Sequence, residues 1–257
     1  MYLNKIMKLK LVILVAIILS LAAGSFAQSA KPAPVPKRLP PVTEILDAYV
    51  KAIGGREAQE KIKSRSLKGT VEMVPMGIKG TFESIVAAPD RSFTRMNMAG
   101  LGEFLDGFDG KTAWSINPIQ GSREKSAAEV AQQKLINDFY REIKLDKVYK
   151  NLTVTGIEKV GAAETYVVRA EAGGLAAPDI MYFDTKTGLL LRMDSIIIAP
   201  EGNQPVKIFY EDLRPIDGVT IPMRIRSQLP AFEITMTATE LKHDVPFKPE
   251  IFAKPAK

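Results

Sequence analysis

Residues 107–118 read GFDGKTAWSINP, a turn followed by a short apolar strand. Asp109 and the glycine after it are typical of a reverse turn, because Asp accepts hydrogen bonds from the following backbone amides and Gly supplies a positive φ. The pentapeptide Phe-Asp-x-Lys-Thr occurs again at 183–187, where Asp184 precedes Thr-Lys-Thr-Gly. We therefore predict two separate hairpin turns, and not a duplicated site with Asp109 and Asp184 as paired carboxylates.

Similar short segments fill most of the chain on both sides of this hairpin. Between residues 67 and 241 they are rich in β-branched and aromatic residues or alternate apolar with polar residues, and Gly, Pro, Asp or Asn separates them. This spacing predicts roughly ten to twelve strands. The segments are too close together for helical crossovers, so the sheet is predicted to be antiparallel.

Two stretches have the helical period instead. Residues 42–53 have apolar residues at i, i+3, i+4 and i+7 and end at Gly54-Gly55, and a second short helix is expected at 56–61. In the other stretch, 127–143, an apolar residue recurs every fourth position. A helix inserted between hairpins of one sheet has to lie across a face. The predicted fold class is therefore α+β, with a large curved antiparallel sheet whose concave face is covered by the N-terminal and central helices.

The first residues have the features of a secretion signal. Three lysines precede an apolar run at 11–23, and a Ser-Phe-Ala tripeptide places small residues before a cleavage site. The run is shorter than the ~20 residues that span a bilayer, so we predict a signal peptide, 1–27, cleaved after Ala27, and not a retained anchor. The proline-rich residues 28–40 are predicted to be a tether, which leaves 41–257 as a single domain.

Composition excludes several classes of protein. The chain has no Cys, so it has neither disulfides nor a thiolate metal site, and its stability has to come from burial. Without the three lysines of the signal peptide, the chain has 32 basic and 29 acidic residues, and this near balance gives no reason to expect nucleic acid as a partner. His243 is the only histidine, and no Gly-x-Ser-x-Gly motif is present. We therefore predict no catalytic residue, metal site or cofactor, and a structural or solvent role for His243.

The strands near the C-terminus have one apolar face and one polar, solvent-facing face. Met223 and Ile225 alternate with arginines, and Ile234 and Met236 alternate with Glu and Thr. A large sheet covered by only two helices leaves an exposed apolar trough or a hollow. Methionine suits an acyl-chain cavity as well as an ordinary core, because its side chain is flexible and polarisable. The residues predicted to line the cavity are Met96, Met98, Trp114, Leu135, Phe139, Met223, Ile225, Ile234 and Met236.

The hairpin GFDGKTAWSINP, together with APDRSF at 88–93, resembles the LolA/LolB-like family of periplasmic lipoprotein carriers and sorting proteins. That family has a strand that begins at a proline, here Pro89, and a hairpin of the form Asp-Gly-Lys-x-x-Trp followed by an Asn/Asp-Pro turn, here from Asp109 to Pro118. The resemblance covers most of the mature chain and implies an open half-barrel closed by helices around a hydrophobic cavity for acyl chains. The family's Arg before the proline, which helps to hold the lid, is Ala88 here, so that contact is not expected.

From this resemblance we expect a periplasmic, monomeric binding protein without enzymatic activity. It would hold lipid or lipoprotein acyl chains and make peripheral contact with a membrane, as in outer-membrane lipoprotein sorting. An alternative is an envelope sensor or adaptor whose apolar groove binds a peptide or a strand of a protein partner. A third alternative, a hydrolase, would have to use His243 as its base.

Overall fold

Thirteen strands form one antiparallel sheet in the computed structural model, which describes residues 38–255. In chain order they are β1 Ser64–Val74, β2 Ile78–Ala87, β3 Arg91–Met98, β4 Gly102–Phe108, β5 Ala113–Asn117, β6 Gly121–Glu124, β7 Asn151–Val160, β8 Ala163–Glu171, β9 Asp179–Asp184, β10 Leu190–Ile197, β11 Gln204–Ile216, β12 Val219–Gln228 and β13 Glu233–His243. The order across the sheet is β6-β5-β4-β3-β2-β1-β13-β12-β11-β10-β9-β8-β7. Within the described residues the edge strands β6 and β7 do not pair with each other, so the sheet is open. The predicted signal peptide, 1–27, and most of the predicted tether lie outside the described residues.

The helices of the described chain are α1 Val42–Ala52, α2 Arg56–Lys61, α3 Ala127–Ile136 and α4 Leu145–Val148, with 3-10 turns at Arg141–Ile143 and Pro249–Phe252. Two glycines end α1 as predicted. Gly54 and Gly55 have φ angles of 106° and 83°, a conformation that residues with a side chain rarely adopt.

The central helix is shorter than the sequence predicts. A continuous helix over 127–143 is expected, but α3 ends at Ile136, and the 3-10 turn and α4 follow after a break. Asn137 caps α3, and the carboxylate of Asp138 accepts a hydrogen bond of 3.2 Å from the backbone amide of Tyr140. This local turn competes with helical hydrogen bonds and so explains the break.

One strand more is present than the predicted ten to twelve. Strand β6 has the sequence GSRE, which contains no apolar or β-branched residue, and its four residues give no strand signal of their own. Pairing with β5 holds it in the sheet. Strand formation here is therefore a consequence of the neighbouring strand and not of local propensity.

Both copies of Phe-Asp-x-Lys-Thr are turns, as predicted. The Oδ1 atom of Asp109 accepts hydrogen bonds of 2.8 and 2.7 Å from the second and third amides after it. Asp184 does the same at 2.7 and 2.8 Å, between β9 and β10. Each carboxylate is used by its own turn, so the repeat does not create a carboxylate pair.

The sheet must curve strongly, since one short helix, α3, contacts strands that are far apart in the strand order. Glu129 of α3 accepts a hydrogen bond of 2.7 Å from Arg123 of β6, and Gln132 of α3 donates one of 2.6 Å to the carbonyl of Ile196 in β10. Strands β6 and β10 are nine positions apart, which is about 43 Å in a flat sheet at ~4.8 Å per strand. A helix of ten residues is only about 15 Å long. The sheet therefore wraps around α3.

The face that carries the helices is the inner face of this curved sheet. Helix α1 packs there against β8 to β10 in the largest buried cluster, where the Tyr49 and Phe183 rings lie edge to face at 5.2 Å. Ser115 of β5 and Arg123 of β6 are register partners on the same face, beneath α3. The segment from 125 to 150 joins the two edge strands and crosses this face.

A second buried cluster covers part of the outer face. Trp114 and Phe252 are fully buried there, and the indole Nε1 of Trp114 donates a hydrogen bond of 2.8 Å to the carbonyl of Phe252. Gly107, the cross-strand neighbour of Trp114, leaves room for the indole, since a Cβ at this position would lie 2.3 Å from the ring. The C-terminal segment is thus fixed to the outside of the sheet.

Replacing Phe252 with Ala is expected to lower the free energy of unfolding by about 3 kcal/mol, because it leaves a cavity in this cluster. Phe252 is completely buried and packs edge to face with Phe247 at 5.2 Å. Equilibrium unfolding in urea measures the loss. Ile119→Ala is the control, because Ile119 is 77% exposed and should cost at most about 0.5 kcal/mol. Equal losses for the two variants would contradict this account of the outer cluster.

Candidate functional site

Apolar side chains on the inner face form a continuous surface across the centre of the sheet. Ile225 of β12 pairs with Met236 of β13, Met236 pairs with Val71 of β1, and the row continues through Gly80 of β2 to Met98 of β3. Further apolar residues lie in the rows on either side. We call this surface the apolar trough, and its residues are Leu67, Val71, Met73, Phe82, Met96, Met98, Met223, Ile225, Ile234, Met236 and Ala238.

The trough is partly open to solvent. Its middle is buried, with Val71 at 1% exposure and Phe82 at 4%. Other members, among them Ile225, Ile234 and Met236, keep part of their surface accessible. Five of the trough residues are methionines, whose flexible side chains adapt to ligands of variable shape.

Eight of the nine predicted lining residues lie on the inner side of the molecule. Six belong to the trough: Met96, Met98, Met223, Ile225, Ile234 and Met236. Leu135 of α3 packs at the border of the cluster beneath α1. Phe139, between α3 and the 3-10 turn, packs with Ile62 and Ile221.

Trp114 is the exception and requires a correction. It lies on the outer face, and its neighbour Ser115 takes the inner position in β5. Both faces of β5 are buried, because Phe252, 138 residues further along the chain, covers the outer one. We therefore exclude Trp114 from the residues that line the trough.

A cavity of about 180 Å³ lies next to one end of the trough, between the helices and the sheet. Arg65 lines this cavity and stands two residues before Leu67 on the inner face of β1. Likewise Ile221 lines it and stands two residues before Met223 on β12. Cavity and trough are therefore adjacent. The polar part of the lining includes Tyr49, Gln59, Arg65, Glu142, Tyr210 and Thr220.

Glu142, which lines this cavity, belongs to an ion pair with the buried Arg141. The Nη2 atom of Arg141 lies 2.8 Å from Oε1 of Glu142, and the hydroxyl of Tyr49 donates a hydrogen bond of 2.6 Å to Oε2. Burial alone would raise the pKa of Glu142, but the charge of Arg141 lowers it below its usual value. Burial and the neighbouring carboxylate both raise the pKa of Tyr49. Glu142 is therefore ionised and Tyr49 is a hydrogen-bond donor at neutral pH.

The guanidinium of Arg65 lines the cavity without a carboxylate partner. The Nε atom of Arg65 donates a 3.4 Å hydrogen bond to Nε2 of His243, and the guanidinium lies 5.7 Å from the centre of the Phe139 ring. Burial lowers the pKa of Arg65 to about 10, and the charge of Glu142 opposes this shift. In the described part of the chain, no carboxylate lies within ion-pair distance of Arg65.

His243 positions Arg65, which agrees with the structural role predicted for it. Its Nδ1 atom lies 2.8 Å from Oδ2 of Asp217, so Nδ1 carries the proton and Nε2 is the acceptor for Arg65. A Ser-His-Asp relay needs a nucleophilic hydroxyl at Nε2. Arg65 occupies that place here.

Helix α3 is held on the inner face mainly through polar groups. Its buried residues are Glu129 and Gln132. The side chain of Gln132 makes two hydrogen bonds to the backbone at the end of β10, to the carbonyl of Ile196 at 2.6 Å and from the amide of Ile198, just beyond the strand, at 2.9 Å. At its other end, Ile136 is 51% exposed. The helix thus buries little apolar surface, which is typical of a segment that opens locally.

Glu129 fixes the start of α3. It forms a capping box with Ser126 and a two-pronged ion pair with Arg123, at 2.7 and 3.0 Å. Burial alone would raise the pKa of Glu129, but the hydrogen bonds from Arg123 and from Ser126 lower it to about 2. In the unfolded chain a Glu has a pKa of ~4.3. Glu129 therefore stabilises the fold above pH ~4.3, and this contribution is lost as the pH falls towards 2.

We expect Glu129→Gln to destabilise the protein by about 2 kcal/mol at pH 7, since the ion pair and its effect on the cap are lost. The difference from wild type should shrink as the pH falls from ~4.3 towards 2. Urea unfolding at several pH values gives both quantities. Glu124→Gln on the preceding strand, β6, is the control, because its carboxylate is 64% exposed. A loss for Glu129→Gln that stays constant down to pH 2 would contradict the assignment.

Sequence reasoning did not identify Arg65, Arg141 or Glu142. Charged residues are normally exposed, and these three stand among many other Lys, Arg and Glu residues. One signal was available for Arg65, because it shares its strand face with Leu67. The alternation of β1 runs unbroken from Arg65 to Met73, since the register shift between β1 and β13 skips Thr239 of β13.

Among residues 38–255, no group of three or more His, Asp or Glu side chains is placed to hold a metal ion. No helix in that same range is long and apolar enough to cross a membrane.

The described chain is thus an open antiparallel half-barrel with an apolar inner face and a helical lid. No protein-family model matches the sequence. No curated protein matches it at a significant level.

Solved structures with this fold are found, however. A DUF1329 family protein from Desulfovibrio piger has a TM-score of 0.56 at 14% identity, over 83% of this chain and 98% of that one. A LolA superfamily protein from Nitrosomonas europaea has a TM-score of 0.52 at 13% identity, over 84% and 99%. A domain from Vibrio parahaemolyticus, provisionally assigned to outer-membrane lipoprotein sorting, has a TM-score of 0.50 at 9% identity, over 81% and 97%. At these identities the likeness shows the fold, and the fold is the LolA-like open half-barrel predicted from the sequence.

Proposed function

We propose that this protein binds and carries acyl chains of lipids or lipoproteins, without catalysing a reaction. The observation that supports this proposal is the apolar trough, an apolar surface that is partly open to solvent and lies on the same face as the lid. Burial of each ligand methylene there contributes ~0.8 kcal/mol to affinity. Outer-membrane lipoprotein sorting, the provisional assignment of one structural neighbour, is the finer form of this proposal.

Release of the chain requires the lid to move or a partner to compete. The contacts of α3 suit this movement, because Glu129 and Gln132 hold it through ion pairs and hydrogen bonds. Water can replace such contacts when the helix leaves. An apolar interface of the same size would be harder to open, since water does not replace its contacts.

We further propose that the protein works as a monomer in the periplasm, exported by the signal peptide 1–27, with 41–257 as one domain. Peripheral contact with a membrane is part of this proposal. Val74 and Met76 support it, because they follow the last trough residue of β1 and are 43% and 56% exposed. Such exposed apolar side chains suit contact with a bilayer during exchange.

The proposal is tested by titrating lipid-free mature protein with a fluorescent fatty-acyl probe. We expect saturable binding of one or a few probes per protein, with an affinity that rises with chain length. No saturable binding at any chain length would reject the proposal.

A second candidate is a sensor or adaptor that binds a protein partner of the envelope. The observation in its favour is the edge strand β7, whose ten residues have no partner on one side within the described chain. Such an edge can accept a strand of another protein. Copurification of a stoichiometric protein without lipid would favour this candidate over the first.

A further inference from the structure

The cavity beside Arg65 and the apolar trough differ in size and chemistry. The cavity's volume of about 180 Å³ is smaller than the ~300 Å³ of ordinary ligand pockets. It corresponds to about six waters at ~30 Å³ each. This is room for a carboxylate or a phosphate group, but an acyl chain has to lie elsewhere.

Arg65 carries an unpaired positive charge at this cavity. Of the two charged side chains in its lining, Glu142 already pairs with Arg141, whereas no carboxylate of the described chain lies at ion-pair distance from Arg65. His243 does not neutralise Arg65, because its imidazole accepts the hydrogen bond at Nε2 without a negative charge and donates its own N–H to Asp217. An anion in the cavity would therefore supply the partner that Arg65 lacks.

Arg65 also has unused donors. A guanidinium carries five N–H groups, and within the described chain the hydrogen bond to His243 occupies only the one at Nε. The remaining four lie on the two terminal nitrogens, which can bind both oxygens of a carboxylate or phosphate at once. Nearby hydroxyls of Tyr210 and Thr220 belong to the same lining.

We propose that this cavity binds the oxyanion end group of an amphiphile whose acyl chain lies in the trough, and that Arg65 recognises the oxyanion. The proposal rests on the proposed function, because it needs the chain in the trough. Distances along β1 agree with it. From Arg65 to Met73 the strand rises about 26 Å at ~3.3 Å per residue. One acyl chain of a membrane lipid spans about half of the ~30 Å hydrocarbon core, so the trough is long enough to hold it when its end group is at Arg65.

The test compares amphiphiles that differ only in the end group, in competition with a fluorescent acyl probe on lipid-free mature protein. They are palmitate, a lysophosphatidic acid with the same chain, and methyl palmitate. We expect the two anions to bind at least tenfold more tightly than the ester, because their hydrogen bonds to Arg65 are charge-assisted. Arg65→Met should abolish this preference and leave the affinity for the ester unchanged. Arg65→Lys should keep part of this preference, since Lys retains the charge but lacks the paired N–H donors of a guanidinium.

A separate calorimetric titration with inorganic phosphate alone distinguishes a lipid end group from a free anion. We expect no binding of phosphate at the concentrations where the amphiphiles bind. Arg65-dependent binding of phosphate at those concentrations would make this a free-anion site and overturn the proposal. Equal affinity of wild type for acid and ester, or a preference that survives Arg65→Met, would also overturn it.

The ester separates this proposal from the proposed function. If the ester binds and the anions show no preference, only the end-group site is wrong. If neither ester nor anions bind to wild type, the proposed function fails and the end-group site fails with it. Unchanged ester affinity in Arg65→Met also shows that the variant is folded.

Discussion

Met236→Asp is expected to weaken the binding of a fatty-acyl probe at least a hundredfold, which is about 2.7 kcal/mol. Met236 lies in the middle of the apolar trough, beside Ile225 and Val71. A carboxylate at this position has no cation partner among its trough neighbours and would lose its hydration when a chain covers it. The probe titration of lipid-free protein measures the loss.

Two further variants show whether the loss comes from charge in the trough. Met236→Asn has nearly the same shape as Met236→Asp without the charge, so it should lose much less affinity. Thr237→Asp places the same charge one residue later, on the outer face beside Arg224, and should bind the probe like wild type. Equal losses for Met236→Asp and Thr237→Asp would show that the trough is not the binding surface.

Glu142→Gln is expected to cause the largest loss of stability, about 4 kcal/mol, because it leaves the charge of Arg141 buried without its partner. Arg141 is only 7% exposed, and Glu142 is its ion-pair partner at 2.8 Å. Gln still offers an oxygen to the hydroxyl of Tyr49, so the loss of stability reports the missing negative charge and not a missing hydrogen bond. Urea unfolding at pH 7 provides the measurement.

The double variant Arg141→Met with Glu142→Gln should be more stable than Glu142→Gln alone. Removing the second charge removes the uncompensated burial that makes the single variant unstable. A double variant that is less stable than Glu142→Gln by the full cost of Arg141→Met would contradict this account. In that case the two residues would act independently.

Local patterns were sufficient to predict the sheet and most of the inner face. Asp109 and Asp184 form the turns that their sequences predict, and α1 ends at its glycine pair. The alternation around Met223 and Met236 assigned these side chains to one face, which is the inner one. These features depend on short-range backbone chemistry and on a period of two, both of which are visible in the sequence.

Features that depend on distant residues were not predictable in this way. Trp114 was assigned to the wrong face because β5 is buried on both sides, and the outer cover is the remote Phe252. The break after α3 depends on Asp138, whose side chain can serve either a helix surface or a turn. Arg65 is a candidate only because the fold places it against a small cavity.

The central claim is that the inner face holds acyl chains, and lipid analysis of purified protein tests it most directly. Mature wild type and Met236→Asp are purified in parallel without detergent from the cell envelope, and organic extracts are analysed by mass spectrometry. The account predicts stoichiometric acyl lipid in the wild-type extract and little or none in that of Met236→Asp. Absence of lipid from wild type, or equal amounts in both extracts, would contradict it.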